Sequence, residues 1–389
     1  MITKQRIEVV DSLRGFAIMG ILLLHSIEHF NFYVFPDEKT QPEWLNQLDS
    51  YVWDTLFFLF GGKGYAIFAL LFGFTFSLMY SKQALKNIDF GYRFLYRMFL
   101  LFCFALFNGL FFPGEVLLLY SLVSIVLFIV RKLSSSYLLI VAILLLIQPV
   151  ELGRFFYYLY DNSYVVPVNQ SSNLWQLLKQ GQLSNSILDL FTSNTLYGHK
   201  VGLLWAYDVG RLVQSAGLFV LGFWLQKRSL FEYSAASVDF WKKTLIFSIL
   251  LFIPLYLIET NFLVFTNLTI YKKTIFKAID MYGNLSFSFI LVASFILLYR
   301  YTPIQKILQK LSYCGRMSLT AYIFQSIIGS FVFYNYGLGL GPHMRHTLSF
   351  VVGVLLFIIQ YYFCKTWIQK FGQGPLEKIW HKLTWIKLN

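Results

Sequence analysis

Ten apolar runs recur along this chain, and a run of this kind leaves few options. They fall at roughly 13–30, 55–80, 97–112, 115–130, 136–153, 209–226, 244–260, 282–299, 317–335 and 347–368. Crossing a hydrocarbon core takes roughly 20 apolar residues as a helix. Lipid offers the backbone no hydrogen-bond partners, so each crossing must satisfy its own amides. The reading is an all-α integral membrane protein of about ten transmembrane helices. Composition agrees: 57% of the 389 residues are hydrophobic and 13% are charged, against about 25% charged in soluble domains. A single polytopic domain covering 1–389 follows, with the bilayer as its first partner. The segment after the first run, HSIEHFNFYVFPDEKTQ, has no small-residue cleavage site, so that run is expected to be retained.

The formal charge of +13 reads as topology rather than as nucleic-acid binding. With the N-terminus inside, 22 Lys and Arg fall on inside segments and 8 on outside ones, while Lys63 and Arg211 fall within spans. Cytoplasmic loops carry such an excess, so both termini are expected in the cytoplasm of a bacterial inner membrane. The outside loop 261–281 carries three lysines against this trend.

The largest piece outside the spans is 154–208. It holds the turn-rich NSYVVPVNQSSN, then LWQLLKQ and ILDLFTSN, which suit short interfacial helices. It reads equally as a plain connection or as a cap over an external opening. Cys103, Cys314 and Cys364 show no CxxC spacing, so neither a disulfide framework nor a metal site is expected.

Charge inside the first run raises the functional question. Residues 11–30 read DSLRGFAIMGILLLHSIEHF. Asp11 or Ser12 suits a helix cap. Arg14 lies near the cytoplasmic boundary, and His25 lies eleven residues further, about 16 Å deeper at helical rise. Eleven steps of about 100° return to the same face, and His29 follows one turn on. Ionisable groups at such depth are functional by default. Alone, Arg14 also reads as an anchor that snorkels to the interface, His25 as a helix–helix hydrogen-bonder and His29 as a water-facing residue. The HSIEH spacing is not that of a zinc motif, so no metal is assigned.

The segment VDSLRGFAIMGILLLH resembles the first helix of the transmembrane acyltransferases, which include bacterial membrane O-acetyltransferases and heparan-glucosaminide N-acetyltransferase. The rest of the chain resembles the YeiB-like family of bacterial membrane proteins. The blocks that carry this are GKGYAIFALLFGFTFSL (62–78), PGEVLLLYSLV (113–123), GLFVLGFWLQKR (217–228), CGRMSLTAYIFQS (314–326) and FGQGPLEKIWHKLT (371–384). Two positions depart from the YeiB-like pattern: His25, where Asn is more usual, and Asn108, where His is frequent.

The resemblance implies transfer of an acetyl or short acyl group from cytoplasmic acyl-CoA to an extracytoplasmic glycan or envelope metabolite. On that implication Arg14 holds CoA phosphate through its planar fork, and His25 is the base or nucleophile. His29 assists the acceptor. Arg316 is a second phosphate contact, and Lys63, between small residues, either holds phosphate or pairs with Asp54. Glu115 suits a helix start, Asp208 and Arg211 suit a local pair, and Tyr322 and Gln325 are deeper hydrogen-bonders. A transporter or flippase using the same polar stripe is the main rival, and a structural or sensory membrane protein is the third. The oligomeric state stays open, with a homodimer among the options.

Overall fold

A computed structural model of the chain describes residues 7–167, 169, 171–265 and 269–386. Lys4, Arg6 and Lys387 of the charge count lie outside these residues. Within the described residues the regular structure is helical, with no strand: α1 (Glu8–Ile27), α2 (Glu43–Phe60), α3 (Gly64–Ala84), α4 (Gly91–Gly109), α5 (Leu117–Val123), α6 (Ile125–Val130), α7 (Ser135–Leu146), α8 (Pro149–Tyr160), α9 (Ser172–Leu183), α10 (Ile187–Ser193), α11 (His199–Asp208), α12 (Arg211–Lys227), α13 (Ala235–Phe265), α14 (Thr269–Tyr271), α15 (Lys277–Leu298), α16 (Thr302–Leu308), α17 (Ser312–Arg316), α18 (Ser318–Phe333), α19 (His346–Phe371) and α20 (Pro375–Thr384).

Helix occupies every predicted run, yet fewer runs qualify as crossings. Among the described residues five are long and apolar enough by themselves: Glu8–Ile27, Glu43–Ala84, Ala235–Asn261, Thr269–Leu298 and His346–Phe371. A sixth is added if α7 and α8 count as one span, bent by 54°. Breaks account for much of the difference from ten. Gln148 takes a left-handed conformation (φ 56°) before Pro149, which cannot donate an amide to the preceding turn. The run at 55–80 is interrupted at Gly61–Lys63, where Gly62 has φ 72°. The run at 115–130 is divided at Ser124.

α1 is the most enclosed of these candidates and packs against α2, α3, α17, α18 and α19. Glycine lets the closest of these meet. A Cβ on Gly15 would fall 1.9 Å from the Leu311 carbonyl oxygen, and one on Gly315 1.8 Å from that of Asp11. Small residues at such crossings let helices pack backbone to backbone in lipid. α3 and α12 meet the same way at Gly73 and Gly222. α13 lies at the periphery on α15 and turns most of its apolar surface outward, as a lipid-facing helix does. These apolar helices make a multi-pass membrane protein.

The start of α1 departs from expectation. Ile7 takes the N-cap place, and Asp11 sits inside the helix, accepting a hydrogen bond from Arg14 Nη1 at 2.9 Å. The 154–208 segment carries α9, α10 and α11. Among the cysteines, Cys103 is exposed, Cys314 and Cys364 are buried, and all three are free.

The amphipathic α20 is joined to the start of α18 by a carboxylate. Glu377 accepts from the Leu319 amide (2.7 Å), the Thr320 amide (3.0 Å) and Thr320 Oγ1 (2.7 Å), and so caps α18 from outside. Burial pushes this carboxyl up, and the Thr320 hydrogen bonds oppose that. Glu377→Ala leaves two buried helix-end amides without their acceptor, which costs about 1–3 kcal/mol. A lowered midpoint of thermal unfolding in detergent, partly recovered by Glu377→Gln, is the expected result.

Candidate functional site

Two cavities lie end to end along α1. The larger, of about 1210 Å³, takes its polar lining from His25, Glu28, Lys63, Arg211, Glu259 and Asp280, among others. The smaller, of about 460 Å³, is lined by Arg14, Arg97, Arg316, Glu377, Trp380 and His381 among others. They share a wall: Ile21, Tyr65, Val116 and Tyr322 line both. Ile21 and His25 are one turn apart on α1, so His25 stands about 6 Å above this throat by helical rise.

At the His25 end the chemistry is a histidine oriented by a carboxylate. His25 Nδ1 lies 2.9 Å from Glu28 Oε2, and Tyr33 donates its hydroxyl proton to Glu28 Oε1 at 2.7 Å. A carboxylate acceptor places the imidazole proton on Nδ1 and leaves Nε2 as the basic nitrogen. Phe112, in edge contact at 4.9 Å, packs against the ring, and 22% of the side chain stays exposed. This is a base held in one tautomer at the edge of a large cavity.

The arrangement around it mixes signs. Lys63 Nζ lies 3.5 Å from the Phe57 carbonyl oxygen and faces the rings of Phe58 and Phe287. No Lys63–Asp54 ion pair forms among the described residues. Asp280 accepts from Asn284 Nδ2 at 2.8 Å and shares a hydrogen bond with Glu259. Arg211 stacks on Trp205 (4.3 Å) and Tyr65 (4.5 Å). The predicted Asp208–Arg211 pair is replaced: Gly210, at φ 76°, breaks the helix between them, and Asp208 accepts from the Ser171 amide and hydroxyl. Trp175 and Trp205, from the 154–208 segment, wall this cavity.

The Arg14 end gathers three guanidiniums. Arg14 is held by Asp11 and by Thr75 Oγ1. Arg97 lies 3.5 Å above the Trp380 ring and donates to Thr384 Oγ1 at 3.1 Å. Arg316 ends α17, rather than opening a helix, and donates to the Gly372 carbonyl at 2.9 Å. The carboxylate in this lining, Glu377, is engaged at the start of α18. Below Arg97, His381 is pushed down by burial first and by Arg97 and Lys82 next, a further mark of positive surroundings. Planar guanidiniums in such a set suit phosphate oxygens.

His29 is not part of the site. α1 ends at Ile27, and His29, Phe30 and Asn31 take left-handed conformations (φ 50°, 52° and 69°) that turn the chain away from the helical stripe. His29 is fully buried, with Nδ1 donating to the Val34 carbonyl (3.1 Å), Nε2 accepting from Ser349 Oγ (2.7 Å) and its ring stacked on Phe333. It holds the turn together. Glu115 accepts from the Leu117 and Leu118 amides and caps α5, as a carboxylate at a helix start does. Gln325 donates to the Ile18 carbonyl and to Gln360. Sequence reasoning missed Glu28, Arg97 and Tyr65. The i, i+3 spacing of His25 and Glu28 was the signal available for the first.

Residues 225–387 match the family described as protein of unknown function (DUF418). The chain is similar to the uncharacterized protein YxaH of Bacillus subtilis (strain 168), 26% identical over 99% of this chain and 96% of that one. It is also similar to the uncharacterized protein YeiB of Escherichia coli (strain K12), 37% identical over 20% of each chain. An uncharacterized 39.9 kDa protein from the amylase 3' region of Bacillus acidopullulyticus is 32% identical over 30% of this chain and 32% of its own. No solved structure matches the chain. Together the matches support a YeiB-like family.

Proposed function

We propose that the protein is a membrane acyltransferase. It moves an acetyl or other short acyl group from acyl-CoA, held at the Arg14 end, to an acceptor bound at the His25 end. The observation that carries this reading is the pair of cavities meeting at Ile21, Tyr65, Val116 and Tyr322, one lined by three arginines and the other by a carboxylate-oriented histidine. Phosphates pair with Arg14, Arg97 and Arg316. The extended pantetheine arm runs along α1, where Arg14 and His25 are about 16 Å apart by helical rise. His25 Nε2 takes the proton of the attacking hydroxyl or amine, and Glu28 stabilises the resulting imidazolium without itself being protonated. His29 drops out of this scheme. Lys63 and Arg211 serve the acceptor side.

In this reading the Arg14 end opens to the cytoplasm. Both termini lie inside, about ten helices cross the inner membrane, and the acceptor is an extracytoplasmic glycan or envelope metabolite. The distribution of Lys and Arg along the sequence supports that orientation.

Titration of acetyl-CoA into the purified protein in detergent is the test. Saturable heat is expected. Arg14→Ala is expected to weaken binding by about 10- to 100-fold, the worth of a charge-assisted phosphate contact, while His25→Ala leaves it nearly unchanged. A folded wild-type protein that takes up no acetyl-CoA would remove the reading and leave transport through the same polar stripe as the one to assay.

A further inference from the structure

Three tyrosines meet at the throat, and two of them have settled hydrogen bonds. Tyr120 donates its hydroxyl to the Tyr65 carbonyl at 2.5 Å. Tyr322 accepts from the Val116 amide at 3.2 Å. Among the described residues the hydroxyl of Tyr65 has no hydrogen-bond partner, on a side chain more than nine-tenths buried. Buried hydroxyls are nearly always paired, because an unpaired one forfeits its hydration. Phenylalanine would fill the same space without that loss, so packing does not explain the oxygen.

Position does. Tyr65 lines both cavities. It follows Gly64, where a Cβ would come within 2.9 Å of Ile21 Cγ1, so the start of α3 is pressed onto α1 one turn before His25. The Arg211 guanidinium stands 4.5 Å from the Tyr65 ring centre and draws electron density from it, which strengthens the O–H as a donor.

Building on the acyltransferase reading, we propose that the Tyr65 hydroxyl is the oxyanion donor of the reaction. The acceptor heteroatom bonds to the thioester carbonyl carbon as its proton passes to His25 Nε2. The carbonyl π pair moves onto oxygen, where the Tyr65 O–H meets the developing charge. Collapse restores the carbonyl and breaks the carbon–sulfur bond. The CoA thiolate leaves and takes the proton back from His25. A donor placed where charge develops acts on the transition state more than on the bound substrate.

The test uses inverted membrane vesicles from bacteria expressing the full chain, which carry native envelope acceptors. Acetyl-CoA is added outside the vesicles, and free CoA thiol is followed with time; the purified proteins are titrated with acetyl-CoA in parallel. Tyr65→Phe is expected to slow thiol release by about 100-fold, with acetyl-CoA affinity within twofold and an equal or higher unfolding midpoint. Incorporation of 3-fluorotyrosine at 65 keeps the donor and is expected to keep the rate within threefold. A Tyr65→Phe loss smaller than tenfold, or a loss accounted for by weaker acetyl-CoA binding, overturns the proposal and leaves the acyltransferase reading standing. Wild-type vesicles that release no more thiol than vesicles from cells lacking the protein overturn that reading itself, and this proposal with it.

Discussion

Substituting alanine for His25 is expected to lower acyl transfer by about 10²- to 10⁴-fold, the range that general-base catalysis supplies. The same variant should bind acetyl-CoA nearly as wild type does, because the arginines of the smaller cavity lie on the far side of the throat. Thiol release and calorimetry on one preparation separate the two. Glu28→Gln tests the cause. It keeps the shape of the side chain but removes the charge that fixes Nδ1–H and stabilises the imidazolium, so its rate should fall between those of wild type and His25→Ala, with a changed pH profile. Equal rates for wild type and His25→Ala would mean that the histidine only packs against Phe112.

The largest effect on folding is expected at the crossing of α3 and α12. A Cβ at Gly73 would stand 1.8 Å from the Phe219 carbonyl oxygen, and one at Gly222 1.9 Å from that of Leu70. In both cases the obstacle is helical backbone, not the end of a mobile side chain. Relief requires the two helices to separate, which breaks close packing over the largest hydrophobic cluster, including Phe74, Phe219 and Phe223. Gly73→Leu and Gly222→Leu should therefore yield no monodisperse protein on size exclusion in detergent. Gly153, in α8, provides the control: a Cβ there meets nothing within 4 Å. Gly153→Ala removes backbone freedom in a helix, worth about 0.5–1 kcal/mol, and should leave the profile unchanged with an equal or higher unfolding midpoint. Normal elution of Gly73→Leu would contradict the crossing described here.

Apolar runs told where helices lie because lipid imposes a length and a composition on them. They did not tell how far each helix runs unbroken. Leu117–Val130 and Ser318–Phe333 are apolar but short, and breaks at Gln148 and at Gly61–Lys63 depend on single backbone conformations that hydropathy averages away. At the site, helical spacing placed Arg14 and His25 along one helix, and the structure puts them on two adjoining cavities. The same extrapolation failed for His29, since nothing in HSIEHF marks three successive left-handed residues without a glycine among them. Arg97, Trp380 and Glu377 come together only through the docking of α20 on α4 and α18, a contact far apart in sequence. Tyr65 shows itself by what its hydroxyl lacks, which no sequence pattern records.

The thinness of the throat bears on membrane voltage. Where aqueous cavities approach each other across one layer of side chains, a potential no longer declines evenly over about 30 Å of hydrocarbon. On the acyltransferase reading, with the two cavities open to opposite sides of the membrane, it would fall mostly across Ile21, Tyr65, Val116 and Tyr322. Moving one elementary charge through the full drop changes its energy by about 2.3 kcal/mol per 100 mV. Chemistry that shifts a proton or a developing negative charge at this level is performed inside a concentrated electric field. On the acyltransferase reading, the rate of that chemistry would then follow the energised state of the cell.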